Sequence, residues 1–111
     1  MEQISIDEFK KVQITIGEIL TVEKVPDTDK LLRLMVSFGT ETRQIISGIA
    51  GFFEDPQVLV GVKCPFVTNL EPRVIRGLES NGMIMAATDE ATGTFSLLKA
   101  DAGLPAGAIV R

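Results

Sequence analysis

Through most of this chain apolar side chains recur at every second position, the period of strands with one face buried. Val12, Ile14 and Ile16 alternate with Gln13 and Thr15; Gly17 interrupts the series, and Ile19, Leu20, Val22 and Val25 resume it out of phase. That shift predicts a long first strand curled at a bulge near Gly17. After a turn at Pro26 to Asp29, Leu31 to Phe38 reads as a second strand with unlike faces. Leu32, Leu34, Val36 and Phe38 are wholly apolar, whereas Leu31, Arg33, Met35 and Ser37 suit solvent or a ligand. Gly39 to Thr42 predicts a hairpin turn into a third strand, Arg43 to Ile49. Further strands are expected at Lys63 to Leu70, at Met83 to Thr88 and, after a Thr92-Gly93 turn, at Phe95 to Leu98.

Two short helices punctuate the strands. Ser5-Ile6-Asp7-Glu8 is a capping box, in which the Ser5 hydroxyl accepts from the Glu8 amide and the Glu8 carboxylate reaches back, so a helix over about Ile6 to Lys11 follows. Asp55 as cap with Pro56 at the first helical position predicts a second, about Pro56 to Val60, plugging one end of a barrel. Short strands, frequent turns and a helix after the third strand describe a mainly β, five-stranded Greek-key barrel. The 111 residues form a single domain. Its core spans about 12–88, and a C-terminal β extension covers about 89–111.

Composition narrows the chemistry. Histidine is absent and Cys64 is the one cysteine, which excludes an internal disulfide, a Ser-His-Asp triad, a Cys-His pair and an imidazole or thiolate zinc site. Cys64 sits among Val62, Pro65 and Phe66 and reads as a small buried hydrophobe. Asp27 and Asp29 are explained by turn chemistry without a cation, and no glycine cluster matches a phosphate-cradling loop. Catalysis by the domain is not expected, nor is any cofactor or metal. No apolar run approaches the roughly 20 residues of a membrane span, and the first residues lack the pattern of a secretory signal, so a cytoplasmic setting is expected.

The net charge of −4 argues against a nucleic-acid partner only until its distribution is considered. Seven of the eleven basic residues, Lys24, Lys30, Arg33, Arg43, Lys63, Arg73 and Arg76, lie between positions 24 and 76, against six acids. Gathered on one face, they would make a local positive patch. The densest group of donors is Asn69 to Met83, NLEPRVIRGLESNGM, whose Pro72, Gly77 and Gly82 make it leave the sheet and return. Arg73 and Arg76 there carry fork-shaped donors suited to phosphate.

Three stretches in order, PDTDKLL (Pro26 to Leu32), RQIISGI (Arg43 to Ile49) and NLEPRVIRGLESNGMIMAA (Asn69 to Ala87), resemble the bacterial tRNA-binding domain family. That family includes the C-terminal appendage of methionyl-tRNA synthetase, free-standing tRNA-binding proteins and a secretion-chaperone branch. The likeness runs from IDEFKKVQITIGEI to the LPAGAIVR tail. It implies an oligonucleotide-binding (OB) fold, a homodimer and recognition of tRNA shape rather than sequence. Lys30 matches the family's lysine in DKLL, Arg43 the basic residue opening the third strand and Asn69 the asparagine before the proline turn. Ser80 and Met83 match the serine and methionine of an SxGM motif expected at the tRNA surface. Where many relatives carry a lysine, this chain has Val74.

Such barrels commonly offer the outer side of strands two and three to their ligand, which here holds Arg33 and Met35 with Lys30 and Arg43 at the rims. Without tyrosine or tryptophan, extensive base stacking is not expected, and backbone contact with folded RNA fits better. The expected interface is therefore Lys30, Arg33, Arg43, Asn69, Arg73, Arg76, Ser80 and Met83. The expected partners are tRNA, a second copy of the chain packed through Leu97, Leu98, Leu104, Ile109 and Val110, and the catalytic part of a methionyl-tRNA synthetase. The other reading is an export-type chaperone binding unfolded polypeptide through an apolar dimer groove; PDTDKLL and SNGM favour tRNA.

Overall fold

A computed structural model describes all of residues 1–111. One helix, α1 (Ile6–Phe9), precedes strands β1 (Ile14–Lys24), β2 (Leu32–Ser37), β3 (Thr42–Ser47), β4 (Lys63–Val67), β5 (Arg73–Ile75), β6 (Leu78–Ser80), β7 (Met83–Ile84), β8 (Ala86–Asp89), β9 (Thr94–Leu97) and β10 (Ile109–Val110). The main sheet runs β3-β2-β1-β4-β7, all neighbours antiparallel, and β10 takes the stretch of β1 edge that β2 leaves free. It curls into an OB-like barrel.

The alternation expected of the second strand is realised: Leu32, Leu34 and Val36 are fully buried while Arg33, Met35 and Ser37 are half-buried on the outer face. They join Ile19, Ile45, Leu59, Cys64 and Phe66 in one core, where Phe38 meets Phe66 edge to face at 5.5 Å. Fully burying a side chain of this size contributes about 1.5–3 kcal/mol, so this core is the main source of stability. The Cys64 thiol lies wholly within it, and burial pushes its pKa up to about 11 against a weaker lowering by Lys99. A thiol so protonated is inert, and slow alkylation of Cys64 by iodoacetamide in native protein at pH 8, fast after unfolding, is the expected outcome.

Several boundaries differ from the sequence reading. The irregularity in β1 falls between Ile19 and Thr21, not at Gly17. Gly17 answers to packing: a Cβ there would meet Val36 Cγ1 at 2.5 Å and the Phe38 ring at 2.7 Å. The capping box at Ser5 and Glu8 forms, but α1 ends at Phe9, because none of its residues is buried against the barrel. Pro56–Leu59 is a 3-10 turn, capped by Asp55 as expected; Leu59 plugs the core. The fifth strand is split at Met85, where the chain swings away from β4 to make the separate β8–β9 hairpin.

The stretch read as a loop from Asn69 to Met83 contains a hairpin, β5–β6. Its turn residues, Arg76 and Gly77, have φ of 54° and 80°, both left-handed, as in the type I′ turn that suits the twist of two short strands. The hairpin lies over β3 and closes the barrel. In place of a β3–β7 ladder, Ile46 N–H donates to Ser80 Oγ at 3.0 Å and Asn81 N–H to the Gln44 carbonyl at 2.9 Å. Gly82 sits at this seam with φ 148°, where a Cβ would lie 3.1 Å from the Val67 carbonyl oxygen. No helix is long and apolar enough to cross a membrane.

Candidate nucleic-acid interface

The eight expected contact residues divide according to whether their polar groups are already used. Arg43 is used. Its Nε and Nη2 meet Glu41 at 2.9 and 2.7 Å, its Nη1 donates to the Thr68 carbonyl at 2.6 Å and more weakly to Asn81, and its guanidinium lies 5.6 Å from the Phe38 ring centroid. It therefore stitches the end of β4 to the return of the hairpin across the barrel seam. Ser80, expected at the surface, is buried: its hydroxyl accepts from Ile46 N–H and donates to the Gly82 carbonyl at 3.3 Å. Asn69 bridges to the N-terminal segment, accepting from Gln13 N–H at 2.7 Å and donating to the Lys11 carbonyl. These three residues hold the fold with the groups that a ligand would need.

Arg33 is intermediate. Its Nε donates to Gln44 Oε1 at 2.7 Å, and the Gln44 amide passes on to the Glu79 carbonyl at 2.8 Å, tying the outer face of β2 and β3 to the hairpin. Glu23 stands 3.7 Å from Nη1, and the Arg33 side chain remains 40% exposed, so this ion pair is worth little and one edge of the fork stays open. Gln44 escaped the sequence reading; its only signal was the place opposite Met35, diagonal to Arg33.

Lys30, Arg73 and Arg76 are exposed, and none makes an ion pair or a side-chain hydrogen bond. Arg73 and Arg76 belong to the β5–β6 hairpin, and Lys30 faces its tip. Arg73 shares a small cleft of about 70 Å³ with Ser80 and Met83, whose side chain is 49% exposed. Arg76 shares a second, of about 380 Å³, with Lys30 from the β1–β2 turn. Val74, between the arginines, is 73% exposed, so a lysine at this position would reach solvent freely. Of the seven basic residues expected on one face, Lys30 and Arg76 share one cleft with Asp27 and Asp29, and Arg73 lines another beside Glu71. Lys63 takes no part, its Nζ donating to the Ala102 carbonyl at 2.7 Å.

Residues 14–109 match the family described as "Putative tRNA binding domain". The chain belongs to this tRNA-binding domain family. As a member it is similar to a methionine–tRNA ligase of Methanospirillum hungatei, 50% identical over 109 residues that make up 98% of this chain and 16% of that protein. The enzyme of that name from Methanocaldococcus jannaschii is 45% identical over 111 residues, 100% of this chain and 17% of that one. The tRNA-binding domain therefore spans about a sixth of the length of these curated relatives. Among solved structures, a MetRS-related protein from Pyrococcus horikoshii superposes with a TM-score of 0.94 at 40% identity, both chains covered in full. The chaperone CsaA of Bacillus anthracis gives 0.86 at 24% identity over 99% of this chain and 100% of its own, a likeness of fold alone. The family indicated by PDTDKLL, RQIISGI and the Asn69 to Ala87 stretch is the one found.

Proposed function

We propose that this domain is a non-catalytic module that binds tRNA by its backbone, using Lys30, Arg73 and Arg76 for phosphate, with Arg33 and Met83 on the same surface. The observation that carries this is the set of three exposed, unpaired cations around one hairpin in a chain of net charge −4. Unpaired cations release counterions on meeting phosphate, whereas Arg43 would first give up its carbonyl and carboxylate partners. Arg43, Asn69 and Ser80 position the interface from behind. Joined to the catalytic part of a methionyl-tRNA synthetase, such a module would raise the effective concentration of tRNA at the enzyme without adding chemistry. The test is a filter-binding titration with mixed tRNA, competed by an unstructured single strand and by an unfolded polypeptide. Competition by the polypeptide alone would favour a chaperone role, and failure to retain tRNA would end the tRNA reading.

Val74→Lys adds a cation between Arg73 and Arg76 at an exposed position. It is expected to tighten tRNA binding about threefold to fivefold with thermal stability unchanged. Unchanged affinity would place Val74 off the RNA path.

A homodimer is part of the same proposal. Ile6, Phe9 and Val12 from the N-terminal segment and Ile109 and Val110 from β10 line a groove of about 680 Å³, each side chain more than 40% exposed. A second copy packed on this face would remove from water the apolar surface that the barrel leaves bare. Leu97, expected in that contact, is buried in the protomer's own core instead. Sedimentation at micromolar concentration is expected to give a species of twice the 12.0 kDa chain, and Phe9→Asp to halve it. A 12.0 kDa wild-type species would refute the dimer.

A further inference from the structure

The turn between β1 and β2 and the tip of the β5–β6 hairpin enclose one open cleft of about 380 Å³, lined by Asp27, Thr28, Asp29, Lys30, Leu31 and Arg76. Two carboxylates and two cations share its walls, yet the protein's two ion pairs lie elsewhere, at Arg33–Glu23 and Arg43–Glu41. The carboxylates are not occupied in making the hydrogen bonds of their turn. That work falls to Thr28, whose hydroxyl donates to the Val25 carbonyl at 2.9 Å, and to the Val25 N–H, which donates to the Leu31 carbonyl at 3.1 Å. Asp27, at φ 61°, shapes the turn backbone as its sequence reading expects, but neither aspartate's carboxylate accepts a hydrogen bond there. Asp27 and Arg76 are also the two non-glycine residues with positive φ, 61° and 54°, and they come from turns far apart in sequence to face the same space.

A ligand matched to this cleft must offer an anion and, beside it, hydrogen-bond donors. Phosphate alone fails, because carboxylates accept only and would repel it. A ribonucleotide unit has both: a phosphate and, one sugar away, a 2′-hydroxyl that donates. We propose that the cleft seats one ribose-phosphate unit of the bound RNA, its phosphate on Lys30 and Arg76 and its 2′-hydroxyl donating to Asp27 or Asp29. This makes the cleft the place where the domain distinguishes RNA from chains lacking that hydroxyl. It rests on the tRNA-binding reading and adds to it the role of the two acids.

The test uses the full chain with an RNA hairpin and its fully 2′-O-methylated counterpart, which keeps A-form geometry and phosphate but has no 2′ donor. Mixed tRNA serves as the reference ligand. Wild-type protein is expected to prefer the unmodified hairpin by about tenfold, the discrimination a charge-assisted hydrogen bond supplies. Asp27→Gly, which keeps positive φ without strain, combined with Asp29→Ala should reduce the preference to about threefold or less. Arg76→Asn, which keeps the type I′ turn, should weaken both hairpins alike and leave the preference intact. Equal wild-type affinity for the two hairpins overturns the proposal, as does a preference that survives loss of both carboxylates. In either case retained binding of mixed tRNA would leave the broader function standing, whereas failure to bind any of the three would remove both. If the double variant unfolds, Asp27→Gly and Asp29→Ala are measured singly, both side chains being exposed and without partners: at least one must reduce the preference, and a preference intact in both overturns the proposal.

Discussion

Raising monovalent salt from about 50 to 200 mM is expected to weaken tRNA binding by roughly 16- to 1,000-fold, the consequence of a log–log slope of about −2 to −5 for three to five phosphates neutralised. On the proposed interface the exposed Lys30, Arg73 and Arg76 would supply three of those contacts, and the open edge of Arg33 a fourth. Arg73→Ala combined with Arg76→Asn should lower affinity at about 50 mM salt by on the order of 2 kcal/mol, about 30-fold, and make the slope shallower by about two. Asparagine is the informative replacement at position 76, because alanine at φ 54° would add strain to the loss of charge. Different tRNAs should suffer equally, since phosphate contacts carry no sequence information. A salt-independent affinity in the wild type, or a double variant with unchanged slope, would mean that the hairpin does not carry the electrostatic contact.

How far the sequence disclosed this arrangement depended on the range of the interactions involved. The faces of β2 were legible because alternation is a local signal and Leu32, Leu34 and Val36 announce their side of the sheet. The capping box at Ser5 and the cap at Asp55 were legible for the same reason, each needing only residues within three positions. The β5–β6 hairpin was not, because Arg-Gly is a weaker type I′ signal than Asn-Gly and Pro72 and Gly82 make its flanks read as loop. Gly17 was misread as a bulge because interrupted alternation looks the same whether a strand bends or Phe38 and Phe66 crowd its backbone.

The family motifs drew attention to particular residues without disclosing how the fold engages each. Lys30 and Arg43 sit in comparable motifs, yet one cation is free and the other is spent on Glu41, Thr68 and Asn81, partners set by tertiary folding alone. Charge totals misled in the same manner. A net −4 does not prevent Lys30 and Arg76, 46 positions apart in sequence, from meeting in one cleft, a meeting made by the hairpin that the sequence concealed.

The difference between holding RNA and holding the barrel shut gives Ser80 and Arg43 an expected signature of their own. Ser80→Ala leaves Ile46 N–H buried and unpaired at the seam, which should cost about 1–3 kcal/mol of stability. At roughly 4–8 °C per kcal/mol in a domain near this size, the melting temperature should fall by about 5–20 °C. Arg43→Lys keeps the charge but loses the planar fork that reaches Glu41 and the Thr68 carbonyl together, so stability should fall by about 1–3 kcal/mol while the salt slope of tRNA binding stays put. Measured well below the melting transition, both variants should bind tRNA more tightly than the Arg73→Ala, Arg76→Asn protein, because the free cations on the hairpin remain. The opposite pattern, a melting temperature within about 1 °C of wild type with affinity reduced as far as in the double variant, would place Ser80 or Arg43 in direct contact with RNA. It would require the hairpin to open on binding, since Ser80 lies closed off at the seam with its hydroxyl already shared between Ile46 and Gly82.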